Sequence, residues 1–276
     1  MHLLNQRYSQ RYSQRLAQSS CRFLSLALTI LLASCATGLK TSEANPTPTL
    51  AFQNKALSPA NGGLLINGAQ LQPGDIILTA DNGIKSQGIR LITLSPVSHA
   101  AVYMADQQVA EAVGDGIRRR SVADLLAEET TIVVFRHPGV TQDGMRKMDA
   151  FVEKHVGQKY NYFGAMLQAP FSIERRVCEL PLVPSPIRDF CIQGVAAIQL
   201  GLGRNDQFFC SQFVLEAYKT AGFPLTDADP RLISPGDLLH MREGDVPSIK
   251  IRQTLQYVGH LKAPPVIVAQ AQTQAN

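Results

Sequence analysis

Two short stretches carry side chains able to do nucleophilic chemistry. Ser98-His99-Ala100-Ala101-Val102-Tyr103 places an imidazole on a run with strand character, and Phe208-Phe209-Cys210-Ser211-Gln212-Phe213-Val214 places a thiol where an apolar helix begins. A thiol near neutral pH is mostly protonated and only its thiolate attacks, so a nucleophilic cysteine needs a neighbouring imidazole or a helix N-terminus to release its proton. This chain offers both. Cys210 is therefore the candidate nucleophile and His99 the candidate base. Glu111, inside Val109-Ala110-Glu111-Ala112-Val113, is the candidate that accepts from the second imidazole nitrogen and orients the ring. A carboxylate within an apolar run needs a partner, which sets Glu111 apart from acids on polar surface segments.

The elements that must hold these residues can be read around them. Leu71-Gln72-Pro73-Gly74-Asp75 is a turn feeding the strand Ile76-Ile77-Leu78, so the folded part is expected to begin near Leu71. Ile84, Ile89, Leu91 and Ile92 suggest a short helix. Val97 to Tyr103 and Gln108 to Val113 read as a hairpin around Met104-Ala105-Asp106-Gln107. Strand side chains alternate faces, so this even loop would put His99 and Glu111 on opposite faces. Pairing them requires a boundary moved by one residue, or a bulge. Arg118-Arg119-Arg120 reads as a solvated strand end. A short helix over Val122 to Leu126, a buried strand over Thr131 to Phe135 and an amphipathic helix over Gln142 to Val156 follow. Residues 157 to 164, with Tyr160, form a loop. Residues 168 to 207, broken by Pro170, Pro181, Pro184 and Pro186, read as an irregular insertion. Asn205-Asp206 then cap a helix with Phe209, Phe213, Val214, Ala217 and Ala221 on one stripe, stopped by Gly222 and Pro224.

The N-terminus carries a different signal. Arg7, Arg11, Arg15 and Arg22 precede the apolar run Phe23 to Ala33 and then Leu32-Ala33-Ser34-Cys35. The run is about half the ~20 residues that cross a bilayer, so it reads as the core of a secretory signal. Its end resembles a bacterial lipobox. That resemblance implies removal of residues 1–34, acylation of Cys35, export, and, with Ala36 following, the periplasmic face of the outer membrane. Residues 35–70 are expected to be a flexible tether after the lipidated cysteine, 71–265 one catalytic domain with the insertion, and 266–276 a disordered tail. Four of the 26 basic residues and none of the 22 acids lie before Cys35, so the formal charge of +4 belongs to the leader. The remainder is balanced, which argues against a nucleic-acid partner.

Of the five cysteines, Cys21 leaves with the leader and Cys35 is acylated. An odd number remains, so at least one thiol is free. Cys178 and Cys191 share the insertion and are the pair available for a disulfide, which would contribute about 3 kcal/mol by closing such a loop. Cys210 is then the free thiol. The other histidines have weaker contexts: His137 precedes a Pro-Gly turn, His155 ends a helix and is expected to be solvated, and His240 and His260 lie in the C-terminal segment. No His or Cys pair has zinc-ligand spacing, so no metal or other cofactor is expected.

Taken together, Pro73-Gly74-Asp75, Ser98-His99, Val109-Ala110-Glu111-Ala112, Tyr160-Asn161-Tyr162 and Phe209-Cys210-Ser211-Gln212-Phe213-Val214 resemble the circularly permuted papain-like proteins of the NlpC-type superfamily, and within it the YaeF/YiiX peptidases or amidases. The order His, Glu, Cys is the permuted one. The lipobox and Tyr257-Val258-Gly259-His260-Leu261 point to the lipoprotein branch. The resemblance runs from about residue 71 to at least 224 and continues more weakly through Ser234-Pro235-Gly236-Asp237-Leu238.

It implies an α+β fold in which an antiparallel sheet packs against a cysteine-bearing helix. It also implies acyl transfer by a Cys210-His99-Glu111 triad through a thioester, with the Cys210 N–H as oxyanion donor and Tyr160 touching substrate. The expected substrate is a peptide or acyl amide in the cell envelope, murein peptides first, with the membrane a partner through Cys35. A lipid-directed acyl hydrolase or acyltransferase, and a non-catalytic envelope binding module, are the two alternatives.

Overall fold

In a computed structural model, the residues described are 37–42, 45–52, 64–93, 95–161, 208–241 and 249–263, with isolated positions at 178, 187, 190–192 and 194. The leader, Cys35, most of the insertion and the tail lie outside them. Two strands, β1 (Thr37–Ser42) and β2 (Asn45–Phe52), pair antiparallel where a tether is expected. Pro46 and Pro48 are compatible with this. They are two apart, so both positions lacking an N–H fall on the same edge, and a two-stranded sheet leaves one edge of each strand without a partner.

Six strands form one antiparallel sheet: β3 (Ile76–Ala80), β4 (His99–Tyr103), β5 (Gln108–Val113), β6 (Gly116–Ser121), β7 (Thr131–Arg136) and β8 (Gln256–Lys262), in the order β6-β5-β4-β3-β7-β8. Helix α1 (Ile84–Thr93) links β3 to β4, α2 (Val122–Glu128) links β6 to β7, and α3 (Gln142–His155) follows β7. Helices α4 (Cys210–Thr220) and α5 (Pro235–His240) precede β8.

The sheet is buried on both faces, which explains why β3 reads as an unbroken apolar run rather than an alternating one. Ile76, Leu78, Ala100, Val102, Ala110, Ala112, Val133 and Phe135 form one core with Met148 and Val152 of α3 and Phe213, Val214, Ala217 and Tyr218 of α4. Alternate residues, Ile77, Ala101, Tyr103, Val109, Ile132 and Val134, form a second core with Val122 and Leu125 of α2. Ile66 and Leu71 also belong to this second core. Leu65 bridges to His260, and the Ile66 N–H donates to the His260 carbonyl at 2.9 Å.

The Pro73-Gly74-Asp75 turn is a structural clamp. Gly74 sits at φ 90°, and its carbonyl accepts the hydroxyl of the fully buried Tyr218 of α4. Asp75 is buried and accepts from the Nε and Nη2 of Arg136 of β7, each at 2.7 Å. The bidentate bond holds Arg136 above its ordinary pKa. Asp75→Asn should cost about 2–3 kcal/mol in urea unfolding, less than for a wholly buried pair because the arginine is partly hydrated. An unchanged midpoint would remove the clamp from the account.

Candidate active site

Cys210 occupies the first position of α4 because Phe209, extended at φ −104° and ψ 171°, is the N-cap. The expected cap at Asn205-Asp206 is therefore displaced: the helix starts later, and its N-cap residue offers no side-chain bond to the first turn. That matters chemically. An uncapped first turn keeps its N–H groups for an anion, whether thiolate or oxyanion. The helix is held by its apolar stripe, and it ends in a Schellman motif, with Gly222 at φ 92° and the Phe223 N–H donating to the Tyr218 carbonyl at 2.9 Å.

His99 is the first residue of β4, and Glu111 lies on β5. Ala101 pairs with Glu111 and Tyr103 with Val109, a register that places His99 and Glu111 on one face. The hairpin end creates this register. Gln108 is opposed by two residues: its carbonyl accepts from Met104 (2.9 Å) and its N–H donates to Ala105 (2.8 Å). Asp106 and Gln107 make the reversal at φ 50° and 57°. One extra residue on the β4 side is a bulge, and it converts the even loop into the parity that the pair needs.

The His99 Nε2 lies 2.8 Å from Glu111 Oε2, and Cys210 is close enough to the ring to act on its pKa. With Nε2 committed to Glu111, Nδ1 is the nitrogen left for the sulfur. Glu111 is fully buried, and Cys210 is 7% exposed and the free cysteine among the described residues. Burial alone would depress the imidazole. Cys210 and Glu111 overcome that and raise it to about 10. Burial would likewise raise the Glu111 carboxyl, but the His99 bond together with Arg120 and Arg118 lowers it to about 2.

Those two arginines were not anticipated as part of the site. The tight turn Val113-Gly114-Asp115-Gly116 pairs Glu111 with Arg118 and Val109 with Arg120, so both arginines share the Glu111 face. The Arg118 Nε donates to Glu111 Oε1 at 2.9 Å, and Arg120 Nε stands 2.9 Å from the same oxygen as an ion pair. Arg120 is nearly buried and also meets Glu128, the last residue of α2, and Glu129 just beyond it. Arg119 points the other way, to Asp149 and Glu153 of α3. The triplet is thus a strand that sorts its charges by face, and not the solvated strand end expected of it. One carboxylate oxygen is held by arginines and the other is left for His99.

Tyr160 bridges Phe208, and the next residue, Asn161, donates its N–H to the Phe208 carbonyl at 3.0 Å. Tyr160 is thereby tied to the segment entering the cysteine helix. His155, expected in solvent, is instead packed between Phe151 and Phe208, with ring centroids 4.2 and 5.1 Å away. Its Nδ1 donates to the Phe151 carbonyl at 2.7 Å. Cys178 and Cys191 are joined by a disulfide, with Cα atoms 5.8 Å apart.

An antiparallel sheet carrying His and then Glu, followed in the chain by a cysteine at a helix start, defines a papain-like α+β protein in permuted order. Residues 70–165 match the model of the permuted papain-like amidase family YaeF/YiiX, C92. The chain is also 36% identical over 255 residues to the protein of Escherichia coli (strain K12) named "Probable lipoprotein peptidase YaeF", covering 88% of this chain and 92% of that one. Among solved structures it is similar to the metalloprotein yiiX of Escherichia coli O157:H7, at 20% identity and a TM-score of 0.41 over 71% of this chain and 99% of that one. The chain belongs to the YaeF/YiiX family of permuted papain-like amidases, a family of hydrolases of the peptidase and amidase class.

Proposed function

We propose that this protein is an exported, lipid-anchored cysteine amidase or peptidase that cleaves amide bonds in murein peptides of the cell envelope. The observation that carries this reading is one imidazole bonded to a buried, arginine-held carboxylate and raised by a neighbouring thiol at the start of a helix whose N-cap side chain makes no bond. In the proposed cycle the Cys210 thiolate attacks the amide carbon and the carbonyl electrons move to oxygen. The Cys210 backbone N–H receives that oxyanion, an interaction worth about 2.7–4 kcal/mol in comparable sites. The imidazolium of His99 protonates the departing amine, leaving a thioester. His99 then takes a proton from water, which attacks the thioester carbon and releases acid and thiolate. Glu111 fixes the ring throughout, and Tyr160 contacts substrate beside Phe208. Cleavage before Cys35 and acylation of its sulfur would hold the enzyme at the periplasmic face of the outer membrane; of this, the name of the Escherichia coli relative bears only on the lipid anchor.

The test is alkylation. Iodoacetamide should modify Cys210 in the folded protein and abolish hydrolysis of a murein tetrapeptide in step with modification. Unchanged turnover of a fully alkylated protein would overturn the reading in favour of a binding module. The pH dependence adds a second prediction. Because the His99 pKa is raised from 6.5 to about 10, its proton is present throughout the neutral range, and kcat/KM should fall only as pH rises toward about 10. An alkaline limb near 6.5 would show an imidazole without its two partners.

A further inference from the structure

Helix α1 buries a serine and exposes two large aliphatic side chains. On its buried side Ser86 is 4% exposed, its hydroxyl lies 2.6 Å from that of Ser98, and it accepts the Asp81 N–H at 3.2 Å. Its outward side is apolar. Ile84 is 89% exposed and Leu91 74%, and with Gly88 between them, where an added Cβ would meet no atom within 4 Å, they form an i, i+4, i+7 stripe. Exposed side chains of this kind are ordinary when scattered, but two large aliphatic side chains on one helix face, flanked by the cations Lys85 and Arg90, form a surface for an apolar partner edged by anionic groups.

We propose that α1 is a membrane-docking helix that lays this stripe into the bilayer to which the Cys35 lipid tethers the domain; the inference rests on the lipid anchor proposed above. Three points favour a bilayer as the occupant. The first is charge: Lys85 is exposed at the start of the helix and Arg90 stands near its end, both placed to meet anionic headgroups. The second is size. Two aliphatic side chains are too few to hold a protein on a membrane alone, but they suffice to orient one that a lipid already keeps at high local concentration. The third is connectivity. Ser86 is bonded to Ser98, the residue before His99, so a docked α1 would set the thiol and imidazole at a fixed attitude close to the membrane surface.

The test uses the acylated protein with Cys210→Ala, so that a single introduced cysteine carries the label. Leu91→Cys, and separately Ile84→Cys, is labelled with an environment-sensitive fluorophore and reconstituted into phosphatidylethanolamine vesicles containing phosphatidylglycerol and lipid brominated near the headgroup. A label ~5–10 Å into the interface should be quenched about twofold or more, and less so when phosphatidylglycerol is replaced by phosphatidylcholine. Lys154→Cys on α3 serves as the water-exposed comparator. Vesicle flotation and palmitate incorporation, both lost in Cys35→Ser, report the anchor separately. An anchored protein whose labels at 84 and 91 behave like that at 154 overturns the docking helix and leaves the anchor standing. Stripe labels shielded from aqueous quencher but untouched by brominated lipid would mean a protein partner and would equally overturn it. A chain that is never acylated removes the anchor, and this inference with it.

Discussion

Replacing Cys210 by serine should lower kcat by roughly 10⁴-fold or more while shifting the unfolding free energy by no more than about 1 kcal/mol, since the exchange is nearly isosteric. The disparity between the two numbers is the informative part. Cys210 is almost enclosed, so a serine there keeps the packing of α4 on the sheet but presents a hydroxyl that the same imidazole cannot deprotonate to a comparable degree. Loss of the thiol also changes His99. Cys210 is the foremost influence holding the imidazole up against burial, so in Cys210→Ser its pKa should fall below about 10, which histidine resonances followed by NMR would reveal. A serine variant that keeps more than a tenth of the wild-type kcat would assign the chemistry to another group.

The linkage has a definite sign. His99 is raised from 6.5 to about 10, so its interactions stabilise the folded state fully below pH 6.5 and are lost as pH climbs from there through about 10. Glu111 is lowered from 4.5 to about 2, so its contribution is complete above pH 4.5 and is lost as pH falls through about 2. The protein should therefore be most stable between these flanks. The alkaline flank should be the one that Cys210→Ser reduces.

The reasons these features were or were not legible in the sequence are physical. The cysteine helix could be read because its stripe and its stop at Gly222 depend only on local spacing, and the strands of the second and third elements because β-branched and small apolar residues cluster there. The start of the helix was misplaced because Asn205 and Asp206 are good caps by type, whereas the cap position is taken by Phe209, whose role depends on extended backbone and not on its side chain. Bringing His99 to Glu111 depended on a single bulged residue opposite Gln108. Parity stated the requirement, but nothing local to Met104 or Ala105 announces the bulge. The arginine pair had a usable signal: a two-residue turn at Gly114-Asp115 fixes Glu111 opposite Arg118 by counting alone, and the alternation then sends Arg118 and Arg120 to one face and Arg119 to the other. What hid it is that a run of like charges ordinarily marks a solvated edge. The hairpin at 37–52 shows the opposite error, since Pro46 and Pro48 weaken a strand reading yet are tolerated where one edge has no partner.

Glu111→Gln should be the most damaging single change after loss of the thiol, and it acts on stability and catalysis together. The amide is nearly isosteric and can still meet His99, but it is neutral, which leaves Arg118, the nearly buried Arg120 and any imidazolium at His99 without their shared counter-charge. Removing one partner of a buried ion pair typically costs ~3–5 kcal/mol, and Arg120 keeps part of its compensation through Glu128 and Glu129, so a loss of about 3 kcal/mol is expected in chemical unfolding. Catalysis should fall by roughly 10²- to 10⁴-fold, because the imidazolium formed with the thiolate is no longer stabilised and the ring can take the wrong tautomer. The pH profile separates this from simple unfolding. In Glu111→Gln the alkaline limb should move down from about 10, because one of the two groups that raise His99 against burial has lost its charge, whereas a merely loosened fold would lower the plateau and leave the limb in place. Arg120→Met gives the complementary arm. Glu111 would keep Arg118 and His99, so stability should drop while the alkaline limb stays near that of the parent. An identical displacement of the limb in both variants would mean that the arginines and the histidine act on Glu111 as one unit, and that its two oxygens do not divide the work between structure and chemistry.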